Sequence, residues 1–190
     1  MAFKLYTDKK MENDAWTLSY NYNSTGSIDT LLYFGSPNPK ETLTPAEDEQ
    51  ITLTPVNTAT PWEPNQVYSI NQIIVNPAGI MFRCVTGGKG SAAEPEWWQV
   101  GGGTIGRATF ICLGPMFRHT DIKLALNKSD LDTAKGGEGI DLGKQLQGGV
   151  AIPVYIRDTN NSYEPRNDTL DACRGLELNK TITTTDTTDY

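Results

Sequence analysis

Apolar and polar residues alternate with a period of two in several short runs of this chain. Trp16, Leu18, Tyr20 and Tyr22 alternate with Thr17, Ser19 and Asn21, which predicts a strand with one buried face. Ser24-Thr25-Gly26-Ser27 reads as the following turn. Ile28 to Phe34 reads as a second strand, stopped by Gly35-Ser36-Pro37-Asn38-Pro39. Ile51-Thr52-Leu53-Thr54 predicts a short third strand with Ile51 and Leu53 facing one way. Residues 1 to 12 are polar and charged and read as an arm. Residues 40 to 50 are acidic and read as loop.

Alternation returns after Thr120. Ile122, Leu124 and Leu126 predict a strand, and Ser129 is placed to N-cap a helical turn through Asp130, Leu131 and Asp132, ended by Gly136-Gly137. Ile140 to Gly143 and Lys144 to Gly149 alternate weakly. Val150, Ile152, Val154 and Ile156 give the strongest strand pattern, with Pro153 pointing to a sheet edge. Asp158 to Asp168 reads as polar loop and Leu170 to Leu178 as a last strand. Thr181 to Tyr190, nearly all Thr and Asp, reads as a mobile tail.

Between these flanks the pattern changes. Three of the four Trp residues, Trp62, Trp97 and Trp98, fall between Pro61 and Trp98, with Tyr68 and Phe82 among them. Two apolar runs, Ile70 to Val75 and Ile80 to Val85, enclose Asn76-Pro77-Ala78-Gly79 and predict a β-hairpin. The Pro and Gly residues exclude a long helix. Gly101-Gly102-Gly103 reads as a flexible break. Arg107 to Leu113 then adds one more strand, ended by Gly114-Pro115.

Short strands at turn-spaced intervals predict an all-β fold. Neither flank is large enough to bury a good core alone. The expected architecture is one β-sandwich built from residues 1–60 and 117–190, interrupted by a small β module at 61–116. Insertions at exposed loop tips are tolerated, which makes this order workable.

Charge and cysteine content narrow the function. A net charge of −7 with one His argues against nonspecific binding to nucleic acid, which needs a basic surface. No stretch is long and apolar enough to span a membrane, and the N-terminal residues lack a signal-peptide core. Cys84, Cys112 and Cys173 are odd in number and lack Cys-x-x-Cys spacing, against a disulfide framework or zinc site. Cys84 and Cys112 fall in neighbouring predicted strands. They read as buried thiols, with pairing after release from the cell as the alternative.

No catalytic constellation, metal or cofactor is predicted. His119 stands alone beside Arg118 and Asp121, and no Ser or Cys sits in a nucleophile motif. Glu94 and Glu96 flank Pro95 and read as solvated loop charges rather than paired glycosidase carboxylates. Asp158, Asn160, Asp168 and Asp171 lack the spacing of a calcium loop. Gly87-Gly88-Lys89-Gly90-Ser91 lacks the gap and following helix of a phosphate loop. The aromatics are the binding candidates. Trp62, Tyr68, Trp97 and Trp98 would form a platform for sugar rings, with Glu94 or Gln99 as polar partners. For Trp62, Tyr68 and Phe82 the first reading is the small core of the module, and a place in that platform is the second. Adjacent Trp97 and Trp98 on one strand would point to opposite sides, leaving one of them exposed or buried at a contact.

Two resemblances follow from these residues. Trp62-x-Pro64-Asn65-x-x-Tyr68-x-x-Asn71, a hairpin into Phe82-Arg83-Cys84, and a Gly-rich stretch closing on Glu94-Pro95-x-Trp97 resemble a small module common in tailed-bacteriophage virion proteins. The same stretch is similar to the small carbohydrate-binding modules of chitinases, although Asn71 stands where many of those carry a Gly-Asp pair. The flanks also resemble a family of phage virion structural proteins. That likeness runs through Leu32 to Pro37, Asp48 to Leu53, Asp121 to Leu126, Leu131 to Ala134 and Ile140 to Gly143. In that family the aromatic module is inserted in some members and missing from others.

The resemblance implies a non-enzymatic component of the virion, made in the host cytoplasm. A capsid decoration or cement protein is the first expectation, with the major capsid protein as partner and several copies on the particle. A tail or baseplate component whose module meets host glycans is the second. A free carbohydrate-binding protein is the third.

Overall fold

The computed structural model describes residues 3–46, 49–56, 59–115, 119–161, 163, 165–171, 176–179 and 181–185. The N-terminal flank holds β1 (Lys4–Tyr6), β2 (Thr17–Tyr22), β3 (Gly26–Gly35), β4 (Glu41–Pro45) and β5 (Ile51–Pro55). The middle of the chain holds β6 (Thr60–Pro61), β7 (Val67–Tyr68), β8 (Ile73–Val75), β9 (Ile80–Thr86), β10 (Gly88–Lys89), β11 (Gly102–Ile105) and β12 (Ala108–Pro115). The C-terminal flank holds β13 (Ile122–Ala125), β14 (Ile140–Gly143), β15 (Leu146–Gln147), β16 (Ile152–Asn160), β17 (Arg166–Asp171), β18 (Leu176–Leu178) and β19 (Thr181–Thr185). Among the described residues the helical pieces are two 3-10 turns, His119–Asp121 and Lys128–Asp132.

The fold is an all-β sandwich, as the alternation predicts. One layer is the four-stranded antiparallel sheet β1-β3-β16-β13. Its strands alternate as amphipathic strands must. Leu32 and Phe34, Val154 and Ile156, and Ile122 and Leu124 are buried in the shared core. Three smaller antiparallel sheets, β15-β4-β19, β14-β5-β18 and β17-β2, contribute Leu43, Leu146, Ile51, Leu53, Leu142, Leu176, Tyr20 and Tyr22 to that core. Each of these sheets joins strands from both ends of the chain, so neither flank can complete a sheet alone.

Inside the sandwich a buried carboxylate is partnered by a tyrosine. Asp158 is fully buried, and the Tyr22 hydroxyl sits 2.9 Å from its carboxylate and 2.8 Å from its main-chain carbonyl. A buried carboxylate needs such partners to offset its lost hydration. Burial pushes the neighbouring Tyr20 phenol up to about 12. On the outer face Arg157 lies directly opposite Asp29 and grips it with two bonds of 2.6 and 2.9 Å. A third bond, 2.6 Å to Asp132, ties the second 3-10 turn to the sheet. The hydrogen bonds from Arg157 hold the Asp29 carboxyl below its ordinary range, against the opposing effect of burial.

Several segments differ from the sequence reading. The N-terminal arm is instead strand β1, with Phe3, Leu5, Tyr6 and Met11 buried; its lysines concealed the apolar alternation. Gly26-Ser27 opens β3 rather than closing a turn. The acidic loop at 40 to 50 contains β4, whose single aliphatic residue, Leu43, is fully buried. Gly102-Gly103 is not a flexible break but part of β11. Asp158 and Asn160 belong to β16 and are buried rather than looped out. Pro153 does not mark an edge strand, because β16 lies between β3 and β13; β13 pairs only from Tyr155 to Asp158 and leaves Pro153 unopposed on that side. Asn127, not Ser129, takes the N-cap position of the second 3-10 turn. The last predicted strand resolves into β17 and β18, with residues 172–175, and so Cys173, outside the described residues. Thr181–Thr185 is strand β19 beside β4, and residues 186–190 lie outside the described residues.

The middle of the chain forms its own sheet, β11-β12-β9-β8-β6. The chain enters and leaves it at one end. Pro61 lies opposite Val75, Val75 opposite Met81, and Met81 opposite Gly114. Three strand spacings put these points about 14 Å apart, a geometry suited to an insertion. The sheet is two-faced. Ile74, Phe82, Cys84 and Phe110 build a core of its own, while Ile73 and Met81 join the core of the sandwich. Seating therefore draws on those two side chains, with Leu113 of β12 packed against the same core. Met81→Ala is expected to cost about 2–5 kcal/mol of global stability in chemical denaturation. Excision of 61–116 with a Gly-Ser bridge should leave a sandwich that still unfolds cooperatively, at a lower midpoint. Loss of cooperativity would count against an insertion.

The depressed Asp29 carboxyl gives a pH prediction. A group whose folded pKa is lowered contributes stability above its unfolded value, which is about 3.9 for Asp. That contribution fades as pH falls through the lower folded value. Wild type is thus expected to exceed Asp29→Asn in stability above about pH 5, with the gap narrowing as acid is added below about pH 4. Denaturation curves across pH 3 to 6 measure it, and a gap independent of pH would contradict the ion pair.

Candidate binding face of the inserted module

Local turns set the aromatic cluster. Asn65 has a φ of 60°, and its N–H donates to Ser91 at 2.8 Å, folding the Trp62–Gln66 segment against the Gly-rich stretch. Ser69-Ile70-Asn71-Gln72 closes with a 3.0 Å bond from Gln72 N–H to the Ser69 carbonyl, and Asn71 has a φ of 67°. Asn tolerates this left-handed region better than other non-Gly residues. The Asn71 departure from the carbohydrate-module pattern therefore keeps a turn. The β8–β9 hairpin is held by Asn76, whose side chain accepts the Ile80 N–H at 2.8 Å, with Gly79 at a φ of 78°.

Phe82 is fully buried at the centre of the cluster. Its ring lies 4.9 Å from that of Trp97 and 5.1 Å from that of Trp98. Trp62 meets Trp97 edge-on at 6.1 Å. The Trp97 indole N–H donates to Glu94 at 2.8 Å, and that of Trp98 to the Gly101 carbonyl at 3.1 Å. The Trp62 indole N–H is buried and has no hydrogen-bond acceptor among the described residues. Tyr68 sits on the far side, edge-on to Phe110 at 5.2 Å, with its hydroxyl donating to the Glu63 carbonyl at 2.9 Å. Burial raises its phenol above the ordinary range.

This geometry sorts the predicted residues. Trp62, Trp97, Trp98 and Glu94 come together, and the three indoles are half-buried. Tyr68 is buried and offers no face to a ligand. The expectation that Trp97 and Trp98 point to opposite sides is overturned. Residues 91–99 contain no strand, so the two-residue alternation does not apply, and both indoles rest on Phe82. Glu94 orients Trp97, and Glu96 is exposed. His119 is exposed on its 3-10 turn. Cys84 lies opposite Phe110 and Cys112 opposite Phe82, an offset of one pair along the face, and both are free thiols. Their Sγ atoms lie 3.2 Å from the carbonyls of Thr86 and Gln99, and burial pushes the Cys84 thiol up.

A second patch was missed by sequence reasoning. At the sheet end remote from Pro61 and Pro115, Val67, Ile70 and Val85 are 65%, 60% and 36% exposed. Ile70 occupies the tip of the Ser69–Gln72 turn rather than a strand. A 2.8 Å bond from Asn71 N–H to the Cys84 carbonyl brings it beside Val85. Exposed Lys89 and Arg107 adjoin the same end, joined through a 2.7 Å bond from Arg107 N–H to the Lys89 carbonyl. The Asn71 at a turn position after Ile70 was the available signal.

Trp98 is seated over Gly103. A Cβ at that position would stand 2.8 Å from three atoms of the indole ring. Gly103→Ala is expected to displace Trp98, to red-shift tryptophan emission and to cost about 1–3 kcal/mol of stability. Unchanged emission and melting temperature would show that Trp98 does not rest there. No known protein family matches this chain, and neither a curated protein nor a solved structure does, so the reading of this face rests on its own geometry.

Proposed function

We propose that this chain is a non-enzymatic structural protein of a tailed-bacteriophage virion, of the capsid decoration or cement type. The observation that carries the reading is the division of charge between the module and the sandwich. Residues 61–116 hold three acids (Glu63, Glu94 and Glu96) and three bases (Arg83, Lys89 and Arg107), so the whole net charge of −7 lies on the flanks. The module is a neutral, aromatic and partly aliphatic unit seated on an acidic sandwich through Ile73 and Met81. In the proposed mechanism the sandwich stays soluble and repels unspecific neighbours. The Val67-Ile70-Val85 tip and the Trp97-Trp98 wall bury apolar area against a neighbouring shell protein, and binding to the assembled state alone stabilises it.

The test is release of packaged DNA on heating, from particles with and without this protein. Particles lacking it are expected to release DNA at a lower temperature, and adding Ile70→Asp protein in place of wild type should restore less than the full shift. Equal release temperatures would sink the cement reading. A second reading, a tail or baseplate component meeting host glycans, is favoured by the half-exposed indoles of Trp97 and Trp98 beside Glu94. Retention of the purified chain on a glycan array, lost in Trp97→Ala, would select it.

A further inference from the structure

The four-stranded sheet is covered unevenly along β3. β1 pairs only with its end, Lys4 opposite Gly35, Leu5 opposite Phe34 and Tyr6 opposite Tyr33. Past Tyr6 the chain turns away, with Thr7 N–H donating to the Asn13 carbonyl. Gly26 to Leu32 pair with β16 on one side. Among the described residues no main chain pairs with their other side. In an antiparallel ladder alternate residues turn their N–H and C=O to opposite sides. This stretch therefore presents a row of unpaired donors and acceptors as long as an ordinary strand.

Proteins guard such edges with Lys, Pro, bulges or short length. β3 has none of these guards here. Its register with β16 runs from Phe34–Ile152 to Gly26–Asn160 without a shift. No Pro or Lys lies between Gly26 and Leu32, and the sole charge is Asp29. That carboxylate is already held by Arg157.

We propose that the open edge of β3 is a self-association site. The same edge of a second copy adds antiparallel to it and makes one continuous sheet through both sandwiches. Two identical edges running antiparallel match donor to acceptor along their length, as a two-fold contact requires. Charge selects a second copy over a foreign basic strand. Most of this acidic molecule repels its own kind, whereas at this edge Asp29 and Asp132 are offset by Arg157 and the nearby Lys128, which leaves an uncharged window and leaves a basic strand little to gain. The inference stands on the backbone pairing and not on the virion reading, so its failure leaves that reading in place.

Sedimentation of the full chain over a range of concentrations is the first measurement, with the mass expected to double from 20.9 kDa. Ser27→Glu combined with Leu31→Glu sets carboxylates on the edge to face those of the partner. It should weaken the dimer by about tenfold or more. Its circular dichroism and melting temperature should stay near wild type. Hydrogen exchange of the unaltered chain decides the matter even if that variant fails to fold. Alternate amides between Gly26 and Leu32 should slow at high concentration, while those of β13 do not. A chain that stays monomeric at every soluble concentration overturns the proposal. So does a dimer whose Gly26–Leu32 amides exchange at the monomer rate, and so does a monomer that takes up an added foreign peptide at this edge.

Discussion

The pairing of β3 with β16 is the interaction on which the rest depends. It runs over the full length of β16, from Ile152 opposite Phe34 to Asn160 opposite Gly26, and joins segments from opposite ends of the chain. Its inward side chains, Leu32, Phe34, Val154 and Ile156, are the floor of the core. Its outward row carries the Asp29–Arg157 pair, and its margin carries the buried Asp158 with Tyr22. Such long-range contacts repay the entropy of loop closure only after they form. The small sheets of the facing layer bind the same two flanks together again, through β5 with β14 and β4 with β15.

Legibility in the sequence followed amphipathicity. β2, β5, β13 and β16 carry apolar residues on alternate positions, the imprint of one-sided burial, and β3 was readable as an apolar run closed by turn residues. β4 was not, since Leu43 alone carries its burial among Thr, Pro and Glu. β11 was hidden by its glycines. Gly103 is there because Trp98 lies against it, and a residue chosen for close approach has the look of a linker. The Arg157–Asp29 pair was invisible for a different reason: cross-strand register is a property of the fold, and nothing local to either residue announces it.

The candidate face was legible in membership and illegible in arrangement. The residues Trp62, Trp97, Trp98 and Glu94 are together, Tyr68 lies in the module core, the first of its two readings, and both neighbouring indoles found the same partner, Phe82. Alternation fails there because an irregular segment through Pro95 obeys no strand period. The aliphatic tip went unseen because exposure at a turn depends on which side of a sheet end the turn projects from. Three aliphatic residues at the outer end of a neutral module are the complement of an acidic body that carries all of the net charge.

The chain's crossing into and out of the module at one end of its sheet has a mechanical meaning. A pull on the outer tip away from the sandwich runs lengthwise down β12 to its attachment at Pro115. The hydrogen bonds between β12, β9 and β8 lie across that direction. They are loaded in shear and share the strain, instead of being peeled open one after another. Ile73 and Met81, anchored in the sandwich core, brace the same sheet from the side. The module is thus attached as a strut, able to carry tension between its outer end and the body that holds it.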